Sequence, residues 1–162
     1  MLGKLLSKSE CAKCQICCSF DSTDLWETPV ISPSMKIRIL DDYPEMKFIT
    51  KGESFLFRMD KEPDADLYYC SVLDKEKGCV LGDEKPFDCK IWPFRVMDFE
   101  GKRVITLSPV CPVVKTRPLD EICKVAMELA PVIYEEADKN PDIVKKYLPN
   151  YPVIISEHPH YK

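Results

Sequence analysis

Glycine is scarce in this chain, five residues in 162, and histidine scarcer still, with two. A chain with so few glycines has few places where its backbone can come close to a phosphate. The five present, Gly3, Gly52, Gly78, Gly82 and Gly101, cannot be arranged into Gly-x-Gly-x-x-Gly or a Walker loop, so the standard nucleotide cradles are absent. Both histidines, His158 and His160, fall among the last five residues. That removes the usual base of a Cys-His or Ser-His pair from the body of the chain. His-x-His can chelate a metal, but tail residues are the simpler reading. Long apolar runs are missing too: the most apolar stretch, Cys123 to Tyr134, is broken by Lys124, Glu128 and Pro131, far short of the ~18–20 residues of a membrane span. The start, Met1 to Glu10, offers Leu2, Leu5 and Leu6 between Lys4 and Lys8, too little for the roughly 7–15-residue apolar core of a signal peptide. Nor is there an excess of positive charge. With 23 Lys+Arg against 27 Asp+Glu the net charge is −4, and no basic field exists to collect nucleic acid or an anionic membrane. A soluble, cytoplasmic protein with neither of those partners is expected.

What the chain does have is a globular balance of 45% apolar and 31% charged residues, stiffened by 14 prolines. A chain of about 150 residues buries roughly 70% of its unfolded surface, so residues 1–162 are expected to form a single domain with its own core. Nine cysteines fall below the roughly 8–10% that marks a disulfide-built miniprotein. In a reducing compartment they favour metal or redox chemistry, and an odd number cannot pair fully within one chain.

Hydrophobic periodicity and turn residues predict an α+β fold: small antiparallel hairpins with short helices around a cysteine-rich metal centre, followed by a C-terminal amphipathic helix. Ser32-Pro33 reads as an N-cap with proline at the first helical position, opening a short helix that ends before Pro44. Lys47 to Thr50 and Ser54 to Met59 flank a Lys-Gly-Glu turn, and Phe94 to Phe99 and Arg103 to Leu107 flank Glu100-Gly101-Lys102, giving two hairpins. Residues 118–148 form a helical segment. Leu119, Ile122, Cys123, Ala126, Met127, Ala130, Ile133 and Tyr134 recur at three and four, with Pro131 expected to kink or split the helix. Asn140-Pro141-Asp142 should open a second short helix through Tyr147. The tail after Tyr151 is expected to add an extended piece.

The strongest chemical signal is Cys11-x-x-Cys14-x-x-Cys17-Cys18. Two residues between cysteines let a turn aim successive sulfurs at one centre, which is why this spacing serves zinc and iron–sulfur sites alike. Adjacent Cys17 and Cys18 project differently from any regular backbone, so they need not share one metal. A second group, Cys70-x8-Cys79-x9-Cys89, carries Lys85 and Lys90 close by. Four thiolates around a divalent ion leave a net negative charge, which these two lysines could offset if they are not simply solvated. Phe87, Trp92, Phe94, Tyr68 and Tyr69 would form a dry shell around the centre or ordinary core. Cys111 precedes Pro112 after a strand, whereas Cys123 falls on the apolar helix face, where a thiol is an ordinary core residue.

Taken in order, Cys11, Cys14, Cys17, Cys18, Cys70, Cys79 and Cys89 with Pro86, Trp92-Pro93 and Cys111-Pro112 resemble the cysteine-cluster proteins of the CxxCxxCC or YkgJ type, over residues 11–112. The chain departs from that pattern where Lys85 and Lys90 stand in place of arginine and Gly82 in place of an aromatic. The resemblance implies a zinc- or iron-chelating domain whose ligands are the eight motif cysteines, Cys111 included. An iron–sulfur cluster is slightly favoured over zinc, because Cys11, Cys14 and Cys17 reproduce the bacterial ferredoxin triad. Flagellin lysine N-methylases resemble the same cluster, which implies as alternatives methyl transfer from S-adenosylmethionine or, from exchange chemistry, metal delivery or sensing. Because the two cysteine groups lie far apart in sequence, bound metal should close a long loop and stabilise the fold.

Overall fold

A computed structural model describes residues 2–21, 26–59, 61 and 67–157; His158 and His160 lie outside the described residues. In chain order the elements are α1 (Lys8–Cys14), a 3-10 turn (Ile16–Cys18), β1 (Ser19–Asp21), β2 (Val30–Ile31), α2 (Pro33–Asp42), β3 (Phe48–Lys51), β4 (Ser54–Phe57), β5 (Leu67–Tyr69), β6 (Leu73–Asp74) and β7 (Gly78–Cys79). A 3-10 turn (Gly82–Glu84) follows, then α3 (Phe87–Ile91), β8 (Phe94–Phe99), β9 (Lys102–Leu107), a 3-10 turn (Val114–Thr116), α4 (Leu119–Lys139), a 3-10 turn (Pro141–Ile143), β10 (Lys145–Lys146) and β11 (Val153–Ser156). The class is α+β, with small, mainly antiparallel sheets and a C-terminal helix, as the sequence predicts. Two compact units emerge: Ala12–Cys89, and Met1–Cys11 together with Lys90–Lys162.

The unit Ala12–Cys89 is assembled from short pieces. Ser32 caps α2 by accepting from the Met35 amide at 3.3 Å, with Pro33 in the first turn. The pairing of β3 with β4 places Phe48 opposite Phe57 and Lys51 opposite Ser54, and β2 adds to the other edge of β4. Two more two-stranded pairs, β1 with β5 and β6 with β7, complete the unit. Its core joins Phe20, Ile31, Met35, Ile39, Phe57 and Val72 with Cys70. The Asp88 carboxylate on α3 is buried and accepts from the Val30 amide at 2.9 Å, tying the third cysteine segment to β2.

The other unit rests on the sheet β10-β8-β9-β11. Its β8–β9 hairpin closes through a two-residue turn in which Glu100 and Gly101 both take positive φ, 53° and 80°. That geometry matches the right-handed twist of the strands and leaves little choice but glycine at the second position. The α4 helix packs on β8 and β11, burying Ile122, Ala126, Ala130 and Ile133. Arg103 on β9 holds the Glu157 carboxylate and reaches Asp138 on α4 at 2.7 Å. Arg117 donates to the Leu5 carbonyl at 2.9 Å and to Glu10 at 3.0 Å, fixing the N-terminal segment of the unit.

Three local expectations change. Pro131 does not split α4, which runs through it over 21 residues. Proline in a helix interior forfeits a hydrogen bond and crowds the preceding turn, but Pro131 lies on the exposed side while the opposite face is buried. The predicted helix from Asn140 to Tyr147 is instead a single 3-10 turn followed by β10, where Lys145 lies beside Met97 in a parallel bridge. Pairing with an existing sheet edge outweighs the weak helix preference of so short a segment. On α4, Leu119 and Met127 are exposed at 65% and 52%, so the Cys123 row flanks the buried face and does not lie at its centre.

Candidate metal centre

Backbone register brings the two cysteine groups together. Antiparallel pairing of β1 with β5 sets Ser19 opposite Tyr69 and Phe20 opposite Tyr68. One step further along the same register Cys18 faces Cys70, and the Cys70 amide donates to the Cys18 carbonyl at 2.8 Å. From Cys70 the chain turns at once, Leu73 N–H to Cys70 carbonyl at 2.9 Å, into the small β6–β7 hairpin in which Leu73 lies opposite Cys79. Cys18 and Cys79 both pack against the apolar cluster that contains Cys70.

The N-terminal half of this assembly is held by a residue the motif reading passed over. Gln15 takes a left-handed conformation, φ 52°, at the start of the 3-10 turn that carries Cys17 and Cys18. Its side-chain amide donates to the carbonyls of Ala12 and Lys75, each at 2.9 Å, and its own carbonyl accepts from the Cys18 amide. Gln15 thereby anchors the cysteine turn to the tip of the β6–β7 hairpin. The tip is shaped by Asp74, whose carboxylate accepts from the Glu76 and Lys77 amides, which hold its pKa below the usual carboxylate value. It is completed by Gly78, whose φ of +84° suits glycine and where an added side-chain carbon would lie in ordinary contact with Ala12. A polar residue between two ligand-spaced cysteines, with positive φ, is visible only once the turn is formed.

Cys17 and Cys18, expected to diverge, approach to 3.9 Å between sulfurs, because the tight turn replaces the regular backbone on which that expectation rested. Tetrahedral zinc with sulfurs about 2.3 Å away sets pairs of ligands roughly 3.8 Å apart. The Cys18 thiol is pushed far above its ordinary value, first by its hydrogen bond with Cys17, then by burial and by the electrostatic influence of Cys17, Cys70 and Cys89. Burial pushes the Cys70 thiol up to about 12, against the lowering effect of the Val72 amide, with Cys79 and Cys17 adding to the rise. Cys17, Cys70 and Cys89 thus each make Cys18 harder to ionise, and Cys79 and Cys17 do the same to Cys70. A cation among them reverses that balance.

The remaining motif residues are disposed as follows. Cys14 ends α1 and is half-buried. Cys11, Cys111 and Cys123 belong to the other unit, with Cys111 buried and the other two half-buried. Lys85 and Lys90 are half-buried, and neither forms an ion pair among the described residues. Tyr68 packs on the cluster that includes Cys70, whereas Trp92 and Phe94 are buried in the other unit. None of the nine cysteines is in a disulfide. Among the described residues no three Cys, His, Asp or Glu side chains are spaced to hold one metal ion. The group therefore fits a thiolate-bound metal in its donor chemistry and in the Cys17–Cys18 separation, without a closed set of ligands. Among the described residues no helix is long and apolar enough to cross a membrane. Comparison with protein-family models, with curated proteins and with solved structures gives no match.

Proposed function

We propose that this chain is a metal-binding protein whose clustered thiols hold an iron–sulfur cluster or zinc in the reducing cytoplasm. The observation that carries the reading is the β1–β5 register, which sets Cys18 against Cys70 in a group that also includes Cys17, Cys79 and Cys89. Cys17 and Cys18, with sulfurs 3.9 Å apart, are costly as charged thiolates unless a cation is present. The CxxCxxCC resemblance supports the same reading. The Cys11, Cys14 and Cys17 spacing, which resembles the bacterial ferredoxin triad, favours an iron–sulfur cluster over a single zinc.

Elemental analysis and a visible spectrum of the full chain, purified without oxygen or chelator, test the proposal. Iron with sulfide and a broad charge-transfer absorbance is the expected result. A colourless protein with stoichiometric zinc keeps metal binding and reverses the choice of metal. Absence of both iron and zinc ends the proposal.

A further inference from the structure

The unit Ala12–Cys89 also has an open groove of about 300 Å³ between α2 and the segment Leu81 to Glu84. Its floor is apolar, formed by Met35 and Ile39 of α2 and by Leu81. Its rim is charged and unbalanced, with Asp41, Asp42 and Glu84 against Arg38 alone. Arg38 already reaches Glu84 at 3.4 Å, and both side chains are largely exposed, 66% and 75%. A guanidinium laid against the acidic rim is thus the arrangement the groove adopts with its own residues, and such an exposed pair exchanges readily.

The end of α2 sharpens the imbalance. The last turn of a helix carries partial negative charge and is stabilised by cations. Here that turn ends in Asp41 and Asp42 and contains no basic residue. Carboxylates in this position work against the helix that bears them, and an incoming cation relieves both effects at once. The volume lies at the small end of ligand pockets, suited to one long side chain with its stem on the apolar floor and its charged head at the rim.

We infer that this groove receives a lysine or arginine side chain from a basic peptide segment of a partner protein. The stem lies on Met35, Ile39 and Leu81 while the charge meets Asp41, Asp42 and Glu84. No thiol lines the groove, but its floor belongs to the apolar cluster that includes Cys70, so the test uses the full chain with its cysteines intact.

Fluorescence anisotropy of the full chain with a short labelled peptide of alternating leucine and arginine tests it. Binding should weaken as salt rises, and a leucine–glutamate peptide should not bind. The double variant Asp41→Lys/Asp42→Lys should weaken binding by roughly tenfold, while Glu135→Lys/Glu136→Lys, the same change of net charge on α4, should leave it unaltered. Both positions at the end of α2 are exposed and lysine suits a helix C-terminus, so the melting temperature of the first variant should not fall. Asp41→Asn/Asp42→Asn should weaken binding in the same direction by less. No binding by the unaltered chain, equal weakening by both lysine pairs, or no weakening by the α2 pair would overturn the inference.

Discussion

The two units are built on different principles. The unit containing Lys90–Lys162 has a four-stranded sheet, a helix of 21 residues and a continuous apolar face of Ile122, Val125, Ala126, Leu129, Ala130 and Ile133. The unit Ala12–Cys89 has strands of two to four residues in three separate sheets, and its core cluster includes a cysteine, Cys70. Two-stranded pairs of such length are marginal in water. The first unit combines a long apolar helix face with the ion pairs of Arg103 and Arg117, whereas the second places the buried thiol of Cys70 within a small apolar cluster. On the metal-binding proposal, the cysteine-rich unit depends on its sulfurs more than the other unit does.

The largest effect should follow from removing the metal. If the thiols organise Ala12–Cys89, chelator treatment of the full chain should abolish hydrogen-exchange protection in β1, β5, β6 and β7 while α4, β8 and β9 keep theirs. Cys18→Ala should reduce bound metal to background. Equal loss of protection in both units would erase the distinction, and undiminished metal in Cys18→Ala would remove this group from the site.

The converse comes from the regular unit. Ile133 on α4 is fully buried, and Ile133→Ala should cost about 2–5 kcal/mol through lost burial and the cavity left behind. Denaturant unfolding measures that cost, and metal content of the folded variant should remain that of the parent. A parallel fall in metal would couple the two units more tightly than their separate architectures imply.

Alkaline pH probes the cysteine-rich unit through Cys70. Folded Cys70 keeps its proton up to about 12, whereas the unfolded thiol releases it near 9.0. The unfolded chain therefore binds fewer protons than the folded one between those values, and stability of the metal-free chain falls as pH rises through that window. Below 9.0 both states hold the proton and Cys70 contributes no slope. Metal loading should show the opposite trend, weakening as pH falls because thiol protons compete with the cation. Denaturation midpoints of metal-free protein measured against pH check the first statement. An identical alkaline slope in Cys70→Val would assign it to some other group.

Much of this contrast follows which features are local. Ser32-Pro33, both hairpins and the 3.6-residue period of α4 were legible because cap, turn and periodicity are encoded within a few residues. The cysteine spacing is local in the same way, and it is what motivates the metal-binding proposal. The pairing of β1 with β5 was not legible: three-residue strands far apart in sequence carry no register signal until both are present. The role of Gln15 depends on that assembly, since its second acceptor is the Lys75 carbonyl. The short predicted helix after Asn140 failed for a related reason, because the edge of β8 was not available to a reading of the segment alone.

A smaller effect tests Gln15 itself. Gln15→Ala removes two hydrogen bonds to backbone carbonyls and should cost about 1–2 kcal/mol. Gln15→Gly should recover part of it by easing the left-handed backbone. Thermal melts of the metal-loaded variants measure both. A melt for Gln15→Ala identical to the parent would mean that the hairpin tip does not restrain the cysteine turn.

The smallest effect should come from Cys123, and the two units differ most clearly in what a cysteine does there. On α4 the thiol is half-buried between Leu119 and Met127, one turn away on either side and both exposed. Cys123→Ala therefore removes one sulfur from the margin of an apolar face and should cost under about 1 kcal/mol. Bound metal should stay at the parent value, in contrast to Cys18→Ala. A denaturation curve and a metal assay on the same sample decide the matter. Loss of metal from Cys123→Ala at unchanged stability would show that sulfur on a regular helix also serves the centre, and the division between an apolar unit and a thiol unit would fail.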